Sequence, residues 1–185
     1  MKKHGYHHGD LRAALVTAAI RLVAEKGPRG FTAQDAAKLA GVVPSALYRH
    51  FADKEALLAA AAEEGFDQLR ESIGKTKSLE ELGLAYLQFA VQQRGHFEIM
   101  FLAGIEPSAF PTLGRSATAA FDAFAEAVRS ASQAGVDLEI RLAGLWSLFH
   151  GFSLLAHGGD LGRVGFRRSP EELLQAAIRR FLATE

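Results

Sequence analysis

The sequence has no cysteine among its 185 residues, so it has neither a disulfide framework nor thiol chemistry. It also lacks a long apolar run. Its longest stretch poor in charge, Leu142–Ala156, is too short to span a bilayer and contains His150. The first residues, Met-Lys-Lys-His-Gly-Tyr-His-His, lack the apolar segment of a secretory signal. We therefore expect a cytoplasmic protein without a membrane helix.

The net charge is zero, which by itself does not favour a nucleic-acid partner. The charge is unevenly distributed, however, because residues 1–51 contain eight Lys and Arg against three Asp and Glu, a net charge of +5. The remaining residues therefore have a net charge of −5. A basic N-terminal third followed by an acidic body is typical of a protein that presents one end to DNA.

Residues Thr32–Lys54 predict two short helices joined by a tight turn. Thr32 is a preferred helix N-cap, and Asp35 places negative charge in the first turn. Gly41 can adopt the left-handed conformation that ends a helix. Pro44 can begin a second helix, where its missing N–H group has no effect.

Each of the two helices has an apolar face. Ala36, Leu39 and Ala40 follow the helical period in the first helix, and Leu47 and Phe51 do so in the second. The opposite face of the second helix carries the side chains Pro44, Ser45, Tyr48 and Arg49. A short helix with one buried face and one such outer face suits the major groove of DNA.

The spacing Gly41-Val42-x-x-x-x-Leu47-Tyr48-x-His50-Phe51-x-x-Lys54-x-x-Leu57 resembles the DNA-binding domain of the tetracycline-repressor (TetR/AcrR) family. The resemblance covers residues 9–65. It implies a helix-turn-helix motif over residues 32–51 and a fourth helix that links the DNA-binding domain to the rest of the chain. The other interpretation of this pattern is two ordinary helices of a bundle.

Side-chain chemistry assigns candidate DNA contacts, and the family resemblance implies the same positions. Ser45, Ala46 and Arg49 are candidates for base edges, with Ala46 suited to a thymine methyl group and Arg49 to guanine or a phosphate. The candidates for the sugar-phosphate backbone are Thr32, Gln34, Tyr48, His50 and Lys54. Pro44 begins the helix end that faces the bases. Because Val43-Pro44-Ser45-Ala46 has little polar reach, we also expect DNA shape to contribute to specificity.

Residues 1–8 are expected to form a flexible basic arm. His4, His7 and His8 could bind a metal, but they lack a nearby carboxylate or cysteine partner, so we expect no metal site. The arm could lie against phosphates or in a minor groove, or it could be a solvated tail.

The fold class expected is all-α, with a three-helix DNA-binding domain at residues 9–70 and a helical ligand-binding and dimerisation domain at residues 71–185. Helical periodicity persists through the second domain. The expected helices are residues 9–26, the pair within 32–51, a helix from Asp53 to Leu69 or Ser72, and 79–94, 95–102, 108–134, 138–157 and 170–184. Residues 158–165 are expected to form a loop. They resemble a phosphate-binding loop but lack its Lys-Ser/Thr pair and a preceding strand.

Aromatic side chains are frequent in the second domain. Most should form the core, and a minority should line an apolar cavity for a small, apolar or aromatic molecule. The candidate lining residues are Phe89, Phe97, Met100, Phe101, Phe121, Phe124, Trp146, Phe149 and His150. His150 fits two interpretations, a core histidine with satisfied hydrogen bonds or a pocket residue.

The segment Trp146-Ser147-Leu148-Phe149-His150-Gly151 resembles the Trp-His-Gly (WHG) subgroup of C-terminal domains in the same family. Small residues at Gly144, Ser147 and Gly151 would allow close approach of another helix. Together with the resemblance, they imply a homodimer formed through residues 138–157 and 170–184.

The function expected is that of a homodimeric transcription regulator, most simply a repressor that a small molecule releases from a near-palindromic operator. One alternative is an all-helical ligand-binding or interaction protein without DNA activity. A second is an enzyme that uses His150 or His157. The sequence offers no nucleophile at an evident partner spacing and no nucleotide motif, so we expect neither an enzyme nor a cofactor.

Overall fold

A computed structural model describes residues 8–133 and 135–183. Within these ranges the chain is helical, with no strand. The expectation of an all-α fold is confirmed. The α-helices are α1 His8–Lys26, α2 Ala33–Leu39, α3 Pro44–Leu47, α4 Lys54–Ile73, α5 Leu79–Gln92, α6 Arg94–Leu102, α7 Pro111–Ser130, α8 Leu138–His157, α9 Asp160–Arg163 and α10 Pro170–Leu182, with a 3-10 helix at Pro107–Ala109.

The chain divides into two compact units. The first unit comprises the chain up to Gly65 together with Gly95–Ser116, and the second comprises Phe66–Arg94 and the chain from Ala117 onwards. The expected boundary at residue 70 remains a prediction. The expected arm falls mostly on residues 1–7, which lie outside the described residues.

In the first unit, α1, α2 and α3 enclose a small apolar core. Leu15, Val16 and Ala19 of α1 are completely buried, as is Leu47 of α3. Phe31, which precedes α2, is also buried. Gly95 allows α6 to lie directly on α1, because a β-carbon at that position would meet the carbonyl oxygen of Ile20.

The face assigned to α2 from the sequence is wrong at one position. Leu39 is expected in the apolar face, but its side chain is 41% exposed. The buried face consists instead of Ala33, Ala36 and Ala37. Both sets follow the same helical period, and the structure buries the smaller side chains because α1 and α3 pack closely on that side of α2.

In the second unit, α5 packs against both α8 and α10. Gly83 of α5 permits this contact, because a β-carbon there would lie 2.6 Å from Cδ1 of Ile178 and 2.9 Å from Cε1 of Phe149. Gly144 of α8 lies under the ring of Phe181 in α10, whereas no other helix of the described residues comes within 4 Å of the position that a β-carbon would take at Gly151.

Two segments differ from the expected elements. The helix expected at 108–134 is divided into the 3-10 helix and α7, because Pro111 forces Phe110 into an extended conformation with φ −127° and ψ 94°. The loop expected at 158–165 contains the single helical turn α9, which starts after Gly159 in the left-handed conformation at φ +70°.

Candidate nucleic-acid interface

The start of α2 is fixed by a reciprocal pair of hydrogen bonds. The hydroxyl of Thr32 accepts from the backbone N–H of Asp35 at 3.2 Å, and the Asp35 carboxylate accepts from the backbone N–H of Thr32 at 2.8 Å. The hydroxyl also donates to the same carboxylate at 2.7 Å. The hydrogen bond from the Thr32 hydroxyl lowers the pKa of Asp35 most, and the bond from the Thr32 backbone N–H lowers it further. The expected N-cap role of Thr32 is confirmed.

The turn between α2 and α3 follows the pattern expected for it. Gly41 has φ +74°, and the backbone N–H of Val42 donates to the carbonyl of Ala37 at 3.0 Å. Pro44 is the first residue of α3. This helix has only four residues, shorter than the sequence pattern suggests, and the chain then continues through a turn at Tyr48–His50.

Two buried side chains hold α3 against the rest of the first unit. Leu47 is fully buried and Phe51 is 4% exposed, while the guanidinium carbon of Arg12 lies 5.2 Å from the centre of the Phe51 ring. This anchoring turns the opposite side of the motif to solvent. Ser45, Arg49 and Tyr48 are exposed there, the last by 51%.

The other predicted DNA contacts occupy the same motif. Thr32, Gln34 and Pro44 are exposed, whereas Ala46 and His50 are half-buried. All nine predicted residues thus lie between the N-cap of α2 and the first residue of α4, within the first unit. Their contact with DNA remains a prediction.

Lys54 differs from the others because its ammonium group already has partners in the protein. Its Nζ donates to the carbonyl oxygens of Pro28 at 2.8 Å and Phe31 at 2.6 Å, and it lies 4.1 Å from the centre of the Phe31 ring. Burial lowers the pKa of Lys54. A phosphate contact by this side chain would require it to leave these carbonyls.

The residues predicted to line a ligand pocket fall in both units. Phe97, Met100 and Phe101 belong to α6 in the first unit, where the rings of Phe97 and Phe101 have centres 5.0 Å apart. The others belong to the second unit, and these are Phe89, Phe121, Phe124, Trp146, Phe149 and His150. Phe89, Phe124 and Phe149 are buried, whereas Phe121 and Trp146 are exposed by 43% and 46%.

His150 has a partner on α5. Its Nδ1 lies 2.9 Å from the phenolic oxygen of Tyr86, which is buried. Burial raises the pKa of Tyr86 and lowers that of His150. The pair therefore favours a neutral phenol and a neutral imidazole, which can share one hydrogen bond.

The exposed rings of the second unit line an open groove. Phe121 and Trp146 meet edge to face with centres 5.6 Å apart. They line a groove of about 490 Å³ together with Leu138, Leu142 and Ala143, with Glu139 also contributing to its wall. This groove is mostly apolar, so it could accommodate an apolar or aromatic group.

Two residues that have no role predicted from the sequence stand out in the structure. Val43 precedes α3 with its side chain 65% exposed. His96 of α6 is 6% exposed, and neither of its ring nitrogens has a hydrogen-bond partner among the described residues. No sequence signal marked the burial of His96, whereas the unfavourable N-cap residue could have drawn attention to Val43.

A small core that presents α2, a glycine turn and α3 to solvent defines a helix-turn-helix DNA-binding protein. Family comparisons identify the class more closely. Residues 15–61 match the bacterial regulatory proteins of the tetR family, and residues 79–181 match the tetracyclin repressor-like C-terminal domain. The chain belongs to the TetR family and is a DNA-binding transcription regulator. The Trp-His-Gly subgroup is not confirmed.

Several solved structures share this fold. A protein of unknown function from Rhodococcus sp. RHA1 is 28% identical over 97% of each chain, with a TM-score of 0.81. The TetR-like regulator LfrR from Mycobacterium smegmatis, solved with proflavine, is 19% identical over 92% of this chain and 95% of that one, with a TM-score of 0.66. AibR, solved with isovaleryl coenzyme A and operator DNA, is 20% identical over 91% of this chain and 95% of that one, with a TM-score of 0.64.

A comparison with curated protein sequences gave no match. The family and the neighbour LfrR are transcription regulators rather than enzymes, and a homodimer is typical of the family. Among the described residues, no helix is both long and apolar enough to cross a membrane.

Proposed function

We propose that this protein is a homodimeric repressor in the cytoplasm that binds a near-palindromic operator and leaves it when a small molecule binds the C-terminal domain. The proposal rests mainly on the exposure of Ser45, Tyr48 and Arg49. These side chains face solvent because Leu47 and Phe51 are buried on the opposite side of the motif. In a two-fold dimer, two such motifs would contact half-sites about one DNA turn apart.

The residues divide by chemistry into those that read bases and those that bind phosphates. Ser45, Ala46 and Arg49 face the base edges in this proposal, with Arg49 bidentate to guanine. The positioning contacts to the sugar-phosphate backbone come from Thr32, Gln34, Tyr48 and His50. We assign Lys54 a supporting role, because its ammonium group binds the carbonyls of Pro28 and Phe31.

DNA binding is tested by a salt titration. Operator DNA selected from a random pool is bound to the wild type and to the Tyr48→Ala/Arg49→Ala variant at several salt concentrations. The wild type should show a steep dependence of log affinity on log salt, and the variant should bind more weakly, because it loses the guanine contact of Arg49, worth about 1–3 kcal/mol, and the uncharged phosphate contact of Tyr48. Arg167→Ala, which removes an exposed arginine of the second unit, is the matched control. Failure of the wild type to enrich any DNA would overturn the proposal.

The proposed ligand is apolar or aromatic, and its candidate contacts in the second unit are Phe89, Phe121, Phe124, Trp146, Phe149 and His150. The apolar groove beside Phe121 and Trp146 and the Tyr86–His150 hydrogen bond support this proposal. A ligand releases the operator only if it binds the DNA-incompetent state more tightly than the DNA-bound state.

Trp146 is the only tryptophan of the chain, so its fluorescence reports on this groove directly. Planar aromatic compounds are titrated into the protein, and those that change Trp146 emission are then added to the operator complex. We expect the same compounds to release the DNA. Compounds that release the operator without any change in Trp146 emission would place the ligand site elsewhere.

A further inference from the structure

Val43 has an unusual combination of properties. It is the N-cap of α3, with φ −72° and ψ 146°, and its side chain makes no capping hydrogen bond. Serine, threonine, asparagine and aspartate stabilise this position, whereas valine is among the least favourable residues there. Val43 is also 65% exposed, so burial does not compensate for the missing cap.

The residue that follows Val43 in the chain is apolar as well. This residue, Pro44, is exposed, and Ser45 is the only residue with a hydroxyl group between Val43 and Leu47. Val43 and Pro44 share a groove of about 530 Å³ with Gln34, Asp35 and Lys38 of α2. The N-terminal end of α3 therefore presents two aliphatic side chains next to an amide, a carboxylate and an ammonium group.

The position of this apolar surface limits what it can recognise. It lies at the end of the recognition helix that faces base edges, in the part of the chain that has a net charge of +5. That charge favours DNA over an apolar protein partner. On the major-groove edges of the four bases, the apolar group is the methyl at C5 of thymine, and a valine side chain can make no hydrogen bond to the other groups.

We propose that Val43 is a specificity-determining residue that contacts the C5 methyl group of a pyrimidine in each operator half-site. Thymine is the standard source of that methyl group, and 5-methylcytosine offers the same group. The inference rests on the proposed DNA-binding function and adds one base preference to it.

The test replaces single methyl groups in the DNA. Each thymine of the selected operator is changed in turn to deoxyuridine, which removes the C5 methyl group and keeps every hydrogen-bonding group. For wild-type protein, one symmetric pair of positions should lose affinity, by about fourfold per half-site, as expected for one buried methyl group. For Val43→Ala, the same replacement should have little effect.

Two further variants separate recognition from folding. Val43→Ser removes both methyl groups of the side chain and supplies a favourable N-cap, so it should fold at least as well as the wild type and lose the methyl preference. Val164→Ala changes a valine of the second unit that is 70% exposed and should retain the wild-type deoxyuridine profile. In a separate experiment, the sensitive thymine is replaced by cytosine in one operator and by 5-methylcytosine in another. The operator with 5-methylcytosine should regain part of the affinity that the operator with cytosine loses.

The outcomes distinguish this inference from the function on which it rests. If the wild type binds the operator and no deoxyuridine replacement weakens it, the inference is wrong and the DNA-binding function stands. If one replacement weakens the wild type and Val43→Ala equally, another residue such as Ala46 contacts the methyl group, and the inference is again wrong. If the wild type enriches no DNA, both fall together.

Discussion

The ammonium group of Lys54 lies 2.6 Å from the carbonyl oxygen of Phe31 and 4.1 Å from the centre of the same residue's ring. One side chain thus joins the first residue of α4 to the segment just before α2. The second carbonyl, that of Pro28, belongs to the turn that ends α1. Lys54 therefore holds together the ends of three helices of the DNA-binding core.

From this arrangement we predict that Lys54→Met lowers the free energy of unfolding by about 1–3 kcal/mol, because two carbonyls lose a charged donor in a partly buried site. Urea denaturation measures the change. Lys38→Met, which removes an exposed lysine from α2, should leave the unfolding free energy nearly unchanged. Unchanged stability of Lys54→Met, combined with a smaller salt slope for DNA binding, would show that Lys54 binds phosphate instead.

We predict that protonation of the Asp35 carboxylate in acid lowers the stability of the protein. Its pKa is lowered in the folded state by the hydrogen bonds from Thr32, so the unfolded chain binds the proton more readily. The stabilisation is complete above the ordinary pKa of 3.8 and is lost as the pH falls through the lower, folded value. An aspartate titrates between about pH 5 and pH 2.5. Across this range, the urea midpoint of the wild type should decline more steeply than that of Asp35→Asn. Parallel curves would contradict the prediction.

We predict that replacing His96 by an apolar residue stabilises the protein. A buried imidazole without a hydrogen-bond partner is unfavourable, so His96→Leu should raise the free energy of unfolding by about 1–3 kcal/mol. Burial also lowers the pKa of His96, so the wild type should lose stability as the pH falls below the ordinary value of 6.5, and the variant should lose less. Thermal unfolding between pH 8 and pH 5 (about the span of histidine titration) measures both effects. His150, whose pKa is lowered as well, should account for part of the slope that remains.

The proposed dimer makes α8 a target for a charge substitution. Ile140 is 64% exposed and lies in the segment 138–157, which is predicted to dimerise. If a second copy covers it, Ile140→Glu places an unpaired charge in an apolar interface and should shift the protein towards monomer, as measured by sedimentation at micromolar concentration. Val164→Glu, at a residue outside the predicted segments, is the matched control. A dimer that persists in Ile140→Glu would exclude this part of α8 from the interface.

The elements with polar boundary residues could be predicted from the sequence. Asp137 caps α8 through the backbone N–H groups of Glu139 and Ile140, and α8 spans Leu138–His157 as expected. The carboxylate of Asp53 accepts from the backbone N–H of Ala56 at 2.8 Å, and α4 begins at Lys54. Caps are local interactions between neighbours in the chain, so the residue types alone indicate them.

Burial depends on distant residues, and here the sequence is less informative. Helical periodicity placed Leu39 inside, yet alanines at several positions of α2 allow two faces with the same period. The segment 158–165 contains four glycines, which favoured a loop, so the helical turn α9 was not predicted. The aromatic pattern likewise could not distinguish the buried Phe149 from the exposed Trp146, because both lie on one helix.

The candidate site divides in the same way. The residue types at Ser45, Tyr48 and Arg49, together with the apolar Leu47 and Phe51, are sufficient to predict an outward-facing surface. The hydrogen bonds of Lys54 join residues 23 and 26 positions apart, so no local pattern predicts them. The exposure of Val43 likewise depends on how α3 packs rather than on its own sequence.

The brevity of α3 has an evolutionary consequence. Four residues are too few to form a stable helix alone, so the shape of this segment is imposed by Leu47, Phe51 and the helices around them. The exposed side chains at positions 43, 45, 48 and 49 contribute little to that shape and can be exchanged with small effects on stability. If these side chains contact the operator as proposed, descendants of this gene can acquire new operator preferences one substitution at a time while the scaffold stays folded.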